Sequence, residues 1–371
     1  METKQTKLFE IEKNDWEKDW IGMPEYNNTQ QNPPEITATF KFRTEKDYLK
    51  FKDLVQKHIY SGKRVFDGKQ LKDKKTTWFP LGPRPSEYVY VEKKTKNKYP
   101  IYIPTKGRFE SRKTVKALQL MGADFKVVIE PQELDLYSTI LNKDQILVLP
   151  YSEPDDSSQL VRTRNWIRDY SRECGHNRHW QLDDNIAAFY RLNNNKRHKV
   201  LSPVIFRCIE DFVDRYKNIA IAGMNYMNYA IPDGRPPYFI NSRVYSISLI
   251  NNELDYKWRG VFNDDTDICL RVLKDGYCTL NFNAFSGDKD ATMITKGGNT
   301  PIYTTGDLRS SFVDSLVKQH PDVVTKVWRY DRWHHQVNYK PFKNNKLIRK
   351  DGIVIEKGIN NYGMVLKDLR E

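Results

Sequence analysis

Cysteine is scarce in this chain of 371 residues: there are four, at positions 174, 208, 269 and 278. They lie far apart with no C-x-x-C pair, which excludes a disulfide-stapled scaffold and a zinc ribbon and fits a reducing compartment. Long apolar runs are missing too, and none approaches the roughly 18 residues of a membrane span. The opening METKQTKLFEIEKNDW carries no apolar signal region, so the expected location is the cytoplasm, with no membrane partner. Internal repeats and long low-complexity tracts are also absent. Aromatics, by contrast, are plentiful at 13%, with 22 Tyr and 8 Trp. Disordered chains are poor in such residues. The length predicts about two domains and is ample for a hydrophobic core.

Charge is unevenly spread. The formal net charge is +13. Residues 1–50 are slightly acidic, whereas 51–100 carry 13 basic and 5 acidic residues, and 326–350 carry 8 basic and one acidic. A solvated lysine face is one explanation of such stretches. Interleaved aromatics favour a polyanion surface, since nucleic acids are bound by cations and stacking faces together. The candidates for that surface are Lys63, Arg64, Lys74, Lys75 and Trp78 in the first stretch, and Arg329, Arg332 and Trp333 in the second.

Residues 1–35 read as a polar segment ending in a linker. A small basic α+β module is expected over 36–98, with a strand at 36–43 and a helix after Thr44 bearing Tyr48, Phe51, Leu54 and Val55. From Tyr99 strands and helices alternate. Strands are expected at 99–105, 125–130, 145–150, 178–182, 219–223 and 277–282. Helices are expected from Ser111 to Leu120, over 157–173, after Ser202-Pro203, over 266–275 and over 307–319. The pattern predicts an α/β fold with a mainly parallel sheet flanked by helices over 99–305. Residues 306–371 are expected to be a basic helical and extended region packed on it.

The sharpest chemical signal is Gln181-Leu182-Asp183-Asp184-Asn185. An apolar strand delivers two carboxylates and an amide at its C-terminal end, where ligands of open α/β sheets bind. Hard oxygen ligands suit Mn²⁺ or Mg²⁺ held together with substrate phosphates. A simple turn uses the same residue types. Other pieces accompany the motif: Pro104-Thr105-Lys106-Gly107-Arg108 after the first strand, Arg164-Asn165 on a helix, and Asp264-Asp265-Thr266-Asp267 before Arg271 and Gly276-Tyr277.

In that order, these motifs over roughly 99–285 resemble the GT-A glycosyltransferases of the family-2 kind. IPTKGR and the compact WQLDDNI narrow the resemblance to the TET-associated glycosyltransferases, a phage group thought to place sugars on 5-hydroxymethylpyrimidines in DNA. The resemblance implies a GT-A-like fold, a nucleoside-diphosphate sugar as donor (a UDP-sugar for preference), a divalent metal, and modified double-stranded DNA as acceptor. It implies that Pro104, Thr105, Lys106, Arg108, Arg164, Asn165 and Asp183 line the donor site, and that Asp183, Asp184 and Asn185 are the metal contacts. It gives the acceptor's base as Asp265, with Asp264 and Asp267 as alternatives. Two departures stand out: Asn185 occupies a position where the motif often ends in Asp, and Asp264 one where the wider family often has Glu. A saccharide or protein acceptor, or a nucleic-acid-binding protein with an inactive transferase domain, are the competing readings.

Overall fold

The computed structural model describes residues 16–28, 40–58, 88–92, 95–152, 160–231, 234–260, 263–289, 308–329 and 332–369. The chain divides into two compact units, 32–87 and the remainder.

In the smaller unit the helix α1 spans Glu45–His58. Thr44 caps it as its sequence predicts: Asp47 N donates to Thr44 Oγ1 at 3.2 Å, and that hydroxyl donates to Asp47 Oδ2 at 2.8 Å. Phe40 and Phe42 pack on Phe51 with ring centroids 4.8 and 5.2 Å apart. Residues 40–43 are not a strand, and 36–39 lie outside the described residues. The module was expected to reach 98. It ends earlier because Tyr88–Val91 joins the large sheet of the other unit.

The larger unit is built on one mixed sheet. Its strands are β1 (Tyr88–Val91), β2 (Ile101–Pro104), β3 (Lys126–Ile129), β4 (Ile146–Val148), β5 (Arg178–Leu182), β6 (Ile186–Asn193), β7 (Lys196–Val200), β8 (Ile219–Tyr226), β9 (Tyr238–Ile240), β10 (Ile247–Asn251), β11 (Cys278–Lys289) and β14 (Val365–Asp368). The order is β14-β1-β7-β6-β11-β8-β10-β5-β2-β3-β4, with β9 on β11. β4, β3, β2 and β5 run parallel, as do β8 and β11, while β10 lies antiparallel between β5 and β8. Gly223 allows this insertion: a Cβ there would sit 2.2 Å from the Ile247 carbonyl oxygen. A separate hairpin pairs β12 (Val324–Arg329) with β13 (Arg332–Val337).

The helices of this unit are α2 (Lys113–Met121), α3 (Leu134–Ser138), α4 (Leu160–Glu173), α5 (Val204–Val213), α6 (Asp264–Lys274) and α7 (Leu308–Gln319). α2 stops where Gly122 turns left-handed at φ 68°. Its start differs from expectation: Ser111 does not cap it but donates to the Arg108 carbonyl, and Arg112 occupies the cap position at φ 27°. Ser202 behaves as expected, accepting Val204 N at 3.2 Å. α6 carries three acids in its first turn and Arg271 and Lys274 in its last, the arrangement its macrodipole favours.

Three stretches depart from the sequence reading. The expected strand 277–282 continues to Lys289, because its second half pairs with β6. The hairpin of β6 and β7 had not been anticipated; Asn194 and Asn195, at φ 49° and 59°, form its two-residue turn. Residues 16–28, part of the stretch expected to be a polar segment, pack on the core, whereas 29–35 of the expected linker lie outside the described residues. Trp20 is buried among Phe212, Tyr238, Phe282 and Phe285, and Arg215 binds the Ile21 carbonyl at 2.7 Å. The core beneath the sheet is rich in large rings, with Trp180, Phe206, Phe212 and Phe282 fully buried. α7 packs beside α6 through Leu270, Leu273 and Leu316. No helix among the described residues is long and apolar enough to cross a membrane.

Candidate active site

The site forms where β2, β3 and β5 end. β5 is buried along its whole length, and the chain leaves it as Asp183-Asp184-Asn185. This turn is pinned from two sides. Asp183 N donates to the Ser246 carbonyl at 2.8 Å, with Ser246 at φ 63°. On α2, Thr114 Oγ1 donates to the Asp183 carbonyl at 2.6 Å and accepts Ile186 N at 2.8 Å. Such doubly held loops fix carboxylates on a rigid scaffold.

The two carboxylates then face different cations. Asp183 Oδ1 lies 3.3 Å from Arg164, and its Oδ2 accepts from Lys289 Nζ at 2.7 Å. Burial pushes the Asp183 carboxyl up, but Lys289 and Arg164 outweigh it and hold it at about 2. Asp184 accepts from Arg108 and, at 2.9 Å, from Thr105 Oγ1. Here burial wins over Arg108 and leaves Asp184 above its ordinary value. Asn185 is buried, and its Oδ1 has no hydrogen-bond partner.

Arg164 ties this turn to α6. One guanidinium nitrogen faces Asp183 and the other lies 3.2 Å from Asp264 Oδ2. Burial raises the Asp264 carboxyl, aided by Asp265 and Asp183 and opposed by Arg164. Asp265 is half-buried at the helix start, where its Oδ1 accepts Thr266 N at 2.7 Å. Its charge reaches both ways: it supports the Arg164 cation on one side and the Arg243 cation on the other.

An open cleft of ≈ 380 Å³ is lined by Arg243, Tyr245, Tyr229, Asn281, His335 and Tyr339, among others. The Arg243 guanidinium stacks over the Tyr245 ring at 4.3 Å. Burial lowers the His335 pKa, with Arg243 acting in the same direction. Along the chain from His335, the β12–β13 hairpin exposes Arg329, Arg332, Trp328 and Trp333, and the two Trp rings meet edge-to-face at 5.1 Å.

The structure thus brings Thr105, Arg108, Arg164, Asp183, Asp184 and Asp264 into one cluster, with Pro104 ending β2 beneath it. Lys106 turns instead to Glu130, at 3.3 Å. Two residues expected in the site serve the scaffold. Asn165 spends both ends of its amide on the Trp258 backbone, at 2.9 and 2.8 Å. Asp267 is 1% exposed and enclosed by Arg259, Arg271 and His320, which hold its carboxyl below the usual range against the effect of burial. It has no path to a substrate proton. Lys63, Arg64, Lys74, Lys75 and Trp78 lie outside the described residues. Sequence reasoning missed Lys289 and Arg243. Lys289 closes a strand extension with weak strand propensity, and Arg243 stands in a loop with no recognisable motif.

The expected divalent ion does not fit the described residues as they stand. All four carboxylate oxygens of Asp183 and Asp184 already face a cation or a hydroxyl donor, so that within this motif Asn185 Oδ1 alone lacks a partner, while Asp264 Oδ2 lies 3.2 Å from Arg164. No three His, Cys, Asp or Glu among the described residues group to hold a metal. One neutral amide oxygen is too little for a hard dication.

A mixed sheet of this order, with acids delivered at its carboxyl edge and further acids opening α6, is consistent with a GT-A-like fold. A model of the TET-associated glycosyltransferase family matches residues 99–298, and the chain belongs to that family. Among curated proteins there is no match.

Proposed function

We propose that this glycosyltransferase moves a sugar from a nucleoside-diphosphate sugar to the hydroxymethyl group of a 5-hydroxymethylpyrimidine in DNA. The observation that carries the reading is the place of Asp265. It follows Asp264, which faces Arg164 of the paired cluster at 3.2 Å, and its charge also favours the Arg243 cation in the lining of the basic, aromatic cleft. The clustered side binds the donor, with Thr105, Arg108 and Arg164 presenting donors to the nucleotide and its phosphates. The cleft receives the acceptor.

In the reaction Asp265 takes the proton of the acceptor hydroxyl. The freed oxygen forms a bond to the anomeric carbon of the sugar. The bond from that carbon to the diphosphate breaks, and its electron pair leaves with the nucleoside diphosphate. Asp264 is the poorer base, because Arg164 already occupies its carboxylate.

The cleft suits a base better than a sugar chain. A volume of ≈ 380 Å³ with Tyr229, Tyr245 and Tyr339 offers stacking faces, and Arg243 and Asn281 offer polar partners for a base edge. The hydroxymethyl group of an unflipped base projects into the major groove; turning the base out costs a few kcal/mol. The exposed Trp328, Trp333, Arg329 and Arg332 supply backbone and stacking contacts beside the cleft.

The test is a panel of nucleotide sugars incubated with duplex DNA containing or lacking 5-hydroxymethylcytosine or 5-hydroxymethyluracil, followed by mass analysis of the digested nucleosides. A hexose- or pentose-sized gain confined to the hydroxymethylated base is the expected result. Donor hydrolysis with no mass gain on any DNA overturns the DNA acceptor.

A further inference from the structure

Lys289 has no part in any motif, yet like Arg108 and Arg164 it is largely enclosed: its side chain is 17% exposed. β11 ends on it, opposite Ile186, just past a register shift at which β6 carries the extra residue Ala187. The ammonium lies at the turn of Asp183. Its three protons have three acceptors: Asp183 Oδ2 at 2.7 Å, Ser246 Oγ at 2.7 Å and Tyr226 Oη at 3.2 Å. The neighbours are fixed in turn. Tyr226 Oη and Ser246 Oγ are 2.6 Å apart, and Ser246 holds the Asp183 amide.

This is the position where a dication would have to bind Asp183. An ion at ~2.1 Å from a carboxylate oxygen that already holds an ammonium would lie within a few ångströms of that ammonium, and the two would repel strongly in a site with little water. Each cation of the cluster already faces an acid: Arg108 faces Asp184, Arg164 faces Asp183 and Asp264, and Lys289 faces Asp183. A metal would have to displace these cations, whereas an incoming diphosphate brings negative charge to them.

We infer that Lys289 supplies the positive charge that receives the donor's diphosphate, so that donor binding and transfer by this enzyme need no divalent metal. The inference rests on the nucleotide-sugar reading above. A phosphate oxygen replaces Tyr226 Oη, the longest of the three partners, while Asp183 and Ser246 keep the ammonium in place. When the bond from the anomeric carbon to the diphosphate breaks, its electron pair adds one negative charge to the leaving phosphate. The Lys289 ammonium meets that charge and stays protonated; the acceptor's proton goes to Asp265.

The experiment is calorimetric titration of UDP, GDP, CDP and ADP onto the full chain, in EDTA and again with Mn²⁺. The expected result is that at least one nucleotide binds in EDTA with an affinity within about twofold of that in Mn²⁺, and that transfer rates agree likewise. Lys289→Met is expected to lose tenfold or more of that affinity in EDTA, and Lys289→Arg to keep part of it, with unfolding midpoints of both recorded alongside. Binding that appears only with Mn²⁺ in the unsubstituted protein overturns the inference without recourse to any variant, and leaves the nucleotide-sugar reading standing. A folded Lys289→Met with unchanged affinity also overturns it. No binding of any of the four nucleotides in either condition refutes the nucleotide-sugar reading and this inference with it.

Discussion

The two sides of Asp265 are built in opposite ways. Toward β5, every acid is matched: Asp183 to Lys289 and Arg164, Asp184 to Arg108 and Thr105, Asp264 to Arg164. Toward the cleft, Arg243, Tyr245, Tyr339 and His335 surround open space, and the Asp265 carboxylate favours the Arg243 cation. One side is a closed network that a ligand enters by exchanging partners. The other is an aromatic and cationic bowl that a planar ring enters without breaking ion pairs. On the proposed reading, the difference lets one protein take a highly charged donor and a base at once: charge is already in place where phosphates would arrive, and the open side is left to stacking.

The comparison breaks most directly at the residue the two sides share. Asp265→Asn is expected to lower transfer by about 10²–10⁴-fold, the usual loss for a positioned base, with nucleotide affinity retained. Asp264→Asn is expected to lose less in transfer and more in nucleotide affinity, and steady-state kinetics beside UDP titration separate the two.

Next in size is the closed network itself. Arg164 is 9% exposed and lies between two carboxylates. Arg164→Met leaves Asp264 buried and uncompensated, at an expected cost of about 3–5 kcal/mol in unfolding free energy. Chemical denaturation measures it. The same exchange at Arg243, on the open side, is expected to cost much less stability.

A third measurement uses a carboxyl belonging to neither side. Glu210 is fully buried and accepts Lys98 N at 2.6 Å, Tyr99 N at 3.2 Å and Trp180 Nε1 at 2.8 Å. Burial outweighs these donors and raises it to about 7 from 4.5. A carboxyl whose pKa is raised by folding favours the folded state while protonated. Its contribution is therefore full below about 4.5 and is lost as pH climbs through about 7. The loss is on the order of 3 kcal/mol. Thermal unfolding midpoints should fall over that window, and Glu210→Gln should flatten the fall.

The smallest effect belongs to the hairpin. Arg329→Ala and Arg332→Ala should each reduce the salt slope of duplex binding by roughly one unit while leaving nucleotide affinity alone. An unchanged slope removes this hairpin from the DNA surface.

How much of this was readable in the sequence depends on what the residues had to do. The strands β2, β3, β5 and β8 were legible because apolar runs between turn residues have few other uses. The turn at Asp183-Asp184-Asn185 and the acids opening α6 were legible as motifs with fixed spacing. The second half of β11 was not: Asn283, Ala284, Ser286 and Gly287 have weak strand propensity, and only pairing with β6 and β8 makes them extended. Gly287 in fact needs its lack of a side chain, since a Cβ would meet Ile247 Cδ1 at 2.3 Å. Lys289 was hidden with that extension. Helix α4 was legible only in part. Its apolar spacing points Leu160, Val161, Ile167 and Tyr170 inward, and Ile167 is buried with Val161 and Tyr170 packed against core clusters, but Arg164 and Arg168 are buried as well because Asp183, Asp264 and Asp255 meet them. A buried cation is invisible in a hydrophobic pattern when its partners are distant in sequence. Asp267 misled for the same reason: in the motif it looks like a third catalytic acid, and only the fold shows Arg259, Arg271 and His320 closing around it.

The account stands on the separation of the two sides, and one paired measurement tests it. UDP affinity and kcat/KM for a hydroxymethylated duplex are determined for Arg108→Ala and Arg243→Ala in parallel. The account predicts a crossed pattern. Arg108→Ala should weaken UDP by about 10- to 100-fold, the scale of a charge-assisted hydrogen bond, and leave the KM for DNA unchanged. Arg243→Ala should raise the KM for DNA by a similar factor and leave UDP unchanged. If either substitution moves both quantities together, the two sides are one site, and the division at Asp265 is wrong.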